Sequence, residues 1–240
     1  MTVAPSHRAQ RPGILGRLAR RFVPGVRRVH QHVALYAAAW DRANAEAASQ
    51  AGRPWVVLGD SAAQGVGAPS HDQGWVGQLR TRMGDGWRVL NLSRSGARVQ
   101  DVLDDQLPRL RAVDGPAELV TVAIGANDIY KTPLDQLIAR LRKLMAALPA
   151  GAVIATIPQG LRPRKAMAAN AVIRAEAPAA GLRVADVWAR TGPPWRSKFA
   201  ADNFHPSLLG YADWAAAFAE ALGLPPADGQ PRPQADVVDP

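Results

Sequence analysis

Ser61 stands in the run Gly59-Asp60-Ser61-Ala62-Ala63-Gln64-Gly65, directly after the apolar stretch Trp55 to Gly59. A serine hydroxyl attacks a carbonyl only when a base takes its proton, and near neutral pH that base is usually histidine. The chain has no cysteine, so thiol nucleophiles, thiolate metal sites and disulfides are excluded. Beyond Trp55 the histidines are His71 and His205. His71 lies in the polar stretch Ser70 to Gly74 and reads as part of a surface loop. His205 follows Asp202 by three residues and precedes Pro206. A loop of that form lets the Asp202 carboxylate accept from Nδ1 of its own loop's imidazole, which fixes the tautomer and leaves Nε2 free to face Ser61. The attack also needs donors for the oxyanion it creates; the backbone of Gly96 and the side-chain amide of Asn127 can supply them. Each residue alone has a plainer reading: Ser61 as a helix N-cap, Gly96 as a helix-entry turn, Asn127 as a turn former before Asp128. Together they point to acyl transfer through serine.

These residues need a frame that brings distant segments to one edge. Short apolar runs at Trp55 to Gly59, Arg88 to Leu92, Leu119 to Ile124, Ala152 to Ile157 and Leu182 to Val187 read as strands. Helical periodicity lies between and after them, near Trp75 to Met83, Val99 to Leu107, Leu134 to Leu148, Arg164 to Ala175 and Ser207 to Leu222. This alternation predicts an α/β fold, a five-stranded parallel sheet covered by helices on both faces. Ligands bind such sheets at the carboxyl ends of the strands, where Ser61, Gly96 and Asn127 fall. A Gly-x-Ser-x-Gly nucleophile elbow is excluded because position 63 is Ala63. Neither a Walker loop nor a dinucleotide-binding glycine pattern follows any strand, so no cofactor is expected. No metal is expected either: His71, Asp72, Asp104 and Asp105 are scattered and read as solvated surface.

In this order, Gly59-Asp60-Ser61, Gly96, Gly125-Ala126-Asn127-Asp128 and Asp202-Asn203-Phe204-His205-Pro206 resemble the four signature blocks of the SGNH hydrolases, also called GDSL esterases and lipases. The resemblance covers roughly residues 55 to 222. It implies a flavodoxin-like three-layer α/β/α sandwich, with Ser61 as nucleophile and first oxyanion donor, Gly96 N–H and the Asn127 side chain as further donors, and His205 as base oriented by Asp202. The first block of that family often reads Gly-Asp-Ser-Leu; Ala62 takes the place of the leucine here.

The 240 residues, 48% hydrophobic and 20% charged, suit one globular domain with appendages. We expect a basic helical leader over residues 1–50, a hydrolase domain over 51–223 and a disordered tail over 224–240, the last rich in Pro, Gly, Gln and Asp. Lys and Arg number 29 against 20 Asp and Glu. The excess is concentrated in the leader, and its arginine bias matches GC-rich codon usage, so nucleic acid is not an expected partner. From Ile14 to Val33 the leader sets Leu15, Leu18, Phe22, Val26, Val29 and Val33 opposite five arginines, with Pro24 predicted to split the pattern into two helices. Two placements stand open. The stripe lies on an anionic membrane surface, or, as the Ala-rich composition of residues 33–48 favours, it docks on the body and buries Val33, Tyr36 and Trp40. The arginine-rich, interrupted apolar segment is a poor secretory signal, and no run suits a membrane span, so a cytoplasmic protein, peripheral to the membrane if the leader binds lipid, is expected. The substrate expected is a small-molecule or lipid ester. Acyl transfer to an alcohol, and a non-catalytic module binding membranes or acidic partners through the leader, are the alternatives.

Overall fold

The structure, a computed structural model, describes residues 24–160 and 162–226. Five parallel strands, β1 (Arg53–Gly59), β2 (Trp87–Asn91), β3 (Leu119–Ala123), β4 (Val153–Ala155) and β5 (Arg183–Ala185), form one sheet in the order β2-β1-β3-β4-β5. Parallel strands buried on both faces need apolar residues at consecutive positions, and Trp55, Val56, Val57 and Leu58 are all fully buried. Val56, Leu58, Val120 and Val122 face one core with Leu137, Leu141 and Leu144 of α6 (Leu134–Ala147) and Ile173 of α7 (Pro163–Glu176). Trp55 and Val57 face the other with Leu79 of α2 (Trp75–Met83) and Trp214 of α9 (Leu208–Ala221). Trp75 stacks on Phe218 there, centroids 4.1 Å apart.

The chain leaves β1 toward β2 on one side and later places β3 on the other. The loops after β1 and β3 therefore diverge, opening a crevice at the carboxyl edge. The register pairs Gly59 with Ala123, so both strands end at the same level.

Four elements differ from the sequence expectation. The helix expected over Val99 to Leu107 is α3 (Val99–Asp101), a π-helical turn (Val102–Gln106) and α4 (Leu107–Arg111). The strand expected to reach Ile157 stops at Ala155, because the Asn170 side chain satisfies both backbone groups of Ile157, at 2.7 and 2.8 Å. Residues after Gly125 coil into α5 (Ala126–Lys131), and the end of the expected fifth strand becomes α8 (Val187–Arg190).

The leader was expected to break at Pro24. The described part of it is α1 (Pro24–Ser49), and the residues before Pro24 lie outside the described ones. Val29, Val33, Tyr36, Trp40, Asn44 and Ala47 form the buried stripe of α1, which lies along the edge strand β2. Asn44 accepts from Asn91 N and donates to Asn91 O, both at 2.8 Å, and so satisfies backbone groups that an edge strand leaves open. The docking that the composition of residues 33–48 favours is thus present for α1. Leu15, Leu18 and Phe22, on which a membrane contact would draw, lie outside the described residues, as does the tail from residue 227. No helix among the described residues is long and apolar enough to cross a membrane.

Candidate active site

Beyond β1 the chain runs through successive turns, not into a helix, so outside contacts must hold it. Gln106, from the π-helical turn, grips Gly59 from both sides: Gly59 N donates to Oε1 and Nε2 donates to Gly59 O, each at 2.8 Å. Gln64 donates to Ser93 O and accepts from the Ser95 hydroxyl, and Asn91 Nδ2 donates to Ala63 O at 2.8 Å. Tyr211 of α9 donates its hydroxyl to Val66 O at 2.7 Å. Ser61, buried, sits at the centre of this frame.

The opposing loop is closed by Ala200 N donating to His205 O at 2.8 Å and Ser207 N donating to Lys198 O at 2.9 Å. Within it Asp202 Oδ1 accepts from the backbone of Phe204 and His205, and Oδ2 lies 2.6 Å from His205 Nδ1. With Nδ1–H donating to the carboxylate, Nε2 accepts from the Ser61 hydroxyl, 2.9 Å away. Burial alone would raise the Asp202 pKa, but the hydrogen bonds and charge of His205, with the two backbone donors, hold it below the ordinary value. Asp202 is therefore ionised at neutral pH, as an orienting carboxylate must be. The two loops meet at Gly67, whose φ is +103°. A Cβ there would lie 2.5 Å from Pro206 O and 2.9 Å from His205 Cβ, so only glycine lets the serine loop approach the histidine this closely.

Asn127 sits in the first turn of α5, and its Nδ2 donates to Ala97 O at 3.1 Å and to Asp60 Oδ2 at 3.2 Å. Both amide hydrogens are engaged, so an oxyanion would take the place of one of these two long bonds. Gly96 lies in the turn closed by Ala97 N donating to Arg94 O, one residue from the carbonyl that Asn127 holds. Asp128 faces away: its carboxylate accepts from Val99 N at 2.9 Å and from Thr132 Oγ1 at 2.7 Å. Lys165 Nζ donates to the carbonyls of Asp128, Ile129 and Thr132, neutralising the C-terminal end of α5. His71 packs edge-on against Trp40, with centroids 5.1 Å apart, and takes no part in the site.

Ser61, Asn127 and His205 line one cavity of about 530 Å³, whose walls include Tyr130, Ile157, Trp188, Trp195, Phe204 and Trp214. Asp202 stands behind His205, and Gly96 is not among the lining residues. A buried hydroxyl, a histidine bound to a carboxylate, an amide and an apolar chamber together suit nucleophilic attack on an acyl carbonyl.

Sequence patterns did not single out Gln106, Gly67 or the environment of Asp60. Gln106 left a trace, a polar residue at the helical spacing of buried Val99 and Val102. Asp60 is fully buried, which pushes its carboxyl up to about 6 despite hydrogen bonds from Ala62 N and Asn127 and the charge of His205; Asp128 adds to the rise. A carboxyl raised on folding binds more protons in the native state, so its contribution to stability falls as pH climbs from about 4 to about 6. The full loss is on the order of 3 kcal/mol. Asp60→Asn removes that titration. The unfolding free energy of the variant minus that of the wild type should therefore rise with pH across this window in denaturant titrations; a difference flat in pH would show an ordinary carboxyl.

The profile of the GDSL-like lipase/acylhydrolase family matches residues 57–212. No curated protein matches the chain. Among solved structures, TesA is similar at 28% identity and a TM-score of 0.59, covering 71% of this chain and 98% of its own. Axe2, an acetylxylan esterase from Geobacillus stearothermophilus, is 22% identical over 75% of this chain and 98% of its own, with a TM-score of 0.59. The lipase Lip_vut3 from a goat rumen metagenome is 15% identical over 70% and 97%, with a TM-score of 0.55. At the last two identities the likeness is one of fold.

Proposed function

Since the chain belongs to the GDSL-like lipase/acylhydrolase family and is a carboxylic ester hydrolase, we propose that Ser61, His205 and Asp202 cleave esters of apolar acyl groups through an acyl-serine intermediate. The carrying observation is the unbroken chain from Asp202 Oδ2 to His205 Nδ1, 2.6 Å, and from His205 Nε2 to Ser61 Oγ, 2.9 Å, at the wall of an apolar cavity.

Ser61 Oγ gives its proton to His205 Nε2 and bonds to the acyl carbon. Ser61 N–H, Gly96 N–H and Asn127 Nδ2 hold the oxyanion. As the carbon–oxygen bond to the alcohol breaks, His205 returns the proton to the departing alkoxide. Water then enters, loses a proton to the same nitrogen, attacks the acyl carbon and releases the carboxylic acid with Ser61 restored. Asp202 keeps the imidazole in one tautomer and stabilises the imidazolium.

A cavity of about 530 Å³ is far larger than an acetyl group needs, and its walls are mainly aromatic and aliphatic. Each methylene buried there contributes about 0.8 kcal/mol, which raises kcat/KM three- to fourfold if the contact holds in the transition state. With the alcohol held constant, kcat/KM should climb steeply from acetyl through butanoyl to longer acyl esters until the cavity is full. A series that is flat or falls from acetyl would overturn the acyl-chain assignment. Phosphonylation by a fluorophosphonate, located by mass spectrometry on the peptide bearing Ser61, tests the nucleophile directly; a label elsewhere would remove Ser61 from that role.

A further inference from the structure

Helix α1 lies wholly outside the matched residues 57–212, yet one stripe of it touches both loops of the site. At its first turn Gly25 abuts the residue before Asp202: a Cβ on Gly25 would lie 2.0 Å from Ala201 O and 2.8 Å from Ala201 C. One turn on, Val29 and Val33 join Tyr36 and Val66 of the serine loop in a small core of their own, with Ala200 packed against it. Tyr36 then donates its hydroxyl to Ala68 O at 2.7 Å, and Trp40 donates Nε1 to Gln64 O at 3.1 Å. His32, on the same stretch, is stacked on Tyr36 at 4.8 Å. Burial lowers the His32 pKa; the nearby charge of His205 lowers it further, and that of Asp202 opposes this.

We propose that α1 is a positioning element of the active site, in which Gly25, Tyr36 and Trp40 set the distance between the Ser61 loop and the Asp202–His205 loop. The inference rests on the reading of Ser61, His205 and Asp202 given above. Its physical reason is that the serine loop runs through turns and the histidine loop is held by a single antiparallel bridge between Phe199 and Pro206, whereas a helix is a stiff spacer. Residues 25, 29, 33, 36, 40 and 44 recur at helical spacing, so one face of one rod spans from the base-carrying loop to the nucleophile loop and on to Asn91 at the end of β2. Displacements near 1 Å at a reacting pair cost about 10²-fold in rate, so this spacing matters for catalysis.

Gly25→Ala separates positioning from simple support. Alanine is the better helix former by up to about 1 kcal/mol, so the substitution leaves α1 itself intact and its effect falls on the contact with Ala201; a helix that only covers the body relieves that contact by shifting its own first turn, and kcat is kept. If α1 sets the loop spacing, the new methyl pushes it off Ala201, and kcat for a small soluble ester falls about ten- to hundredfold with KM within about twofold. Tyr36→Phe, which keeps the ring and removes one bond to the serine loop, should lower kcat several-fold with KM unchanged. Ile173→Val on α7, a buried change in the core into which neither loop packs, should leave kcat per folded molecule unchanged whatever it does to Tm. Wild-type kcat in folded Gly25→Ala and Tyr36→Phe, or a loss that Ile173→Val reproduces at equal Tm, would overturn the proposal. Ser61→Ala assayed beside them keeps the two readings apart. Activity surviving in Ser61→Ala removes the triad itself, whereas an inactive Ser61→Ala beside a fully active Gly25→Ala removes only the role of α1.

Discussion

Replacing Ser61 by alanine is expected to lower kcat on a good ester by a factor on the order of 10⁴–10⁶ while the protein stays folded, and His205→Ala should do nearly as much. Ser61 Oγ is the atom that would bond to the acyl carbon, and Nε2, 2.9 Å from it, is the acceptor in reach of its proton. Neither loss can be made good by the partner that remains, so the double variant should be little worse than Ser61→Ala alone. Asp202→Ala should hurt less, because the imidazole keeps its place through the loop bonds of Ala200 and Ser207 even when its tautomer is no longer fixed. The measurement is kcat and kcat/KM for the three single variants and the double, with circular dichroism to establish folding. Wild-type turnover by a folded His205→Ala protein would end the assignment, and strictly additive losses would show that serine and histidine do not act as a unit.

Asn127→Ala is expected to reduce kcat by ~10²–10³, roughly 2.7 to 4 kcal/mol, with KM nearly unchanged. The amide is held by Ala97 O and Asp60 Oδ2, bonds of 3.1 and 3.2 Å that are long for N–H donors. The charge on an oxyanion makes a stronger acceptor than the neutral Ala97 carbonyl, so exchanging that bond favours the transition state over the resting enzyme. The ground-state carbonyl gains much less, which is why the effect belongs in kcat. A variant altered only in KM would place Asn127 in substrate binding instead. Asp128→Ala serves as the contrast: it removes the acceptor for Val99 N and Thr132 Oγ1, so its effect should appear chiefly in Tm.

Much of this protein was legible in its residues alone, because some physics is local. Trp55 to Gly59 and Leu119 to Ile124 read as buried strands, since consecutive apolar residues rich in β-branched and aromatic types have few other stable placements. Gly59-Asp60-Ser61 and Asp202 to His205 carried their chemistry in residue type and short spacing. The docking stripe Val33, Tyr36 and Trp40 was visible as helical periodicity. The break predicted at Pro24 falls at the edge of the described residues, where α1 begins. The π-helical turn, α5 and the early end of β4 were not visible, because each is decided by a partner far along the chain: Gly59 for Gln106, Val99 for Asp128, and Asn170 for Ile157.

Residue type and short-range pattern identify the groups that could do chemistry here, a serine, one well-placed histidine and its carboxylate, and a parallel α/β sheet whose strand ends carry them. The packed fold alone brings Ser61 and His205, 144 residues apart, to 2.9 Å, buries Asp60 so that its carboxyl is pushed up to about 6, and walls one chamber with aromatic side chains from four separate segments. The division follows from range: residue type and periodicity act over a few neighbours, whereas desolvation, cavity shape and the spacing of two loops across a glycine at position 67 exist only once distant segments have packed.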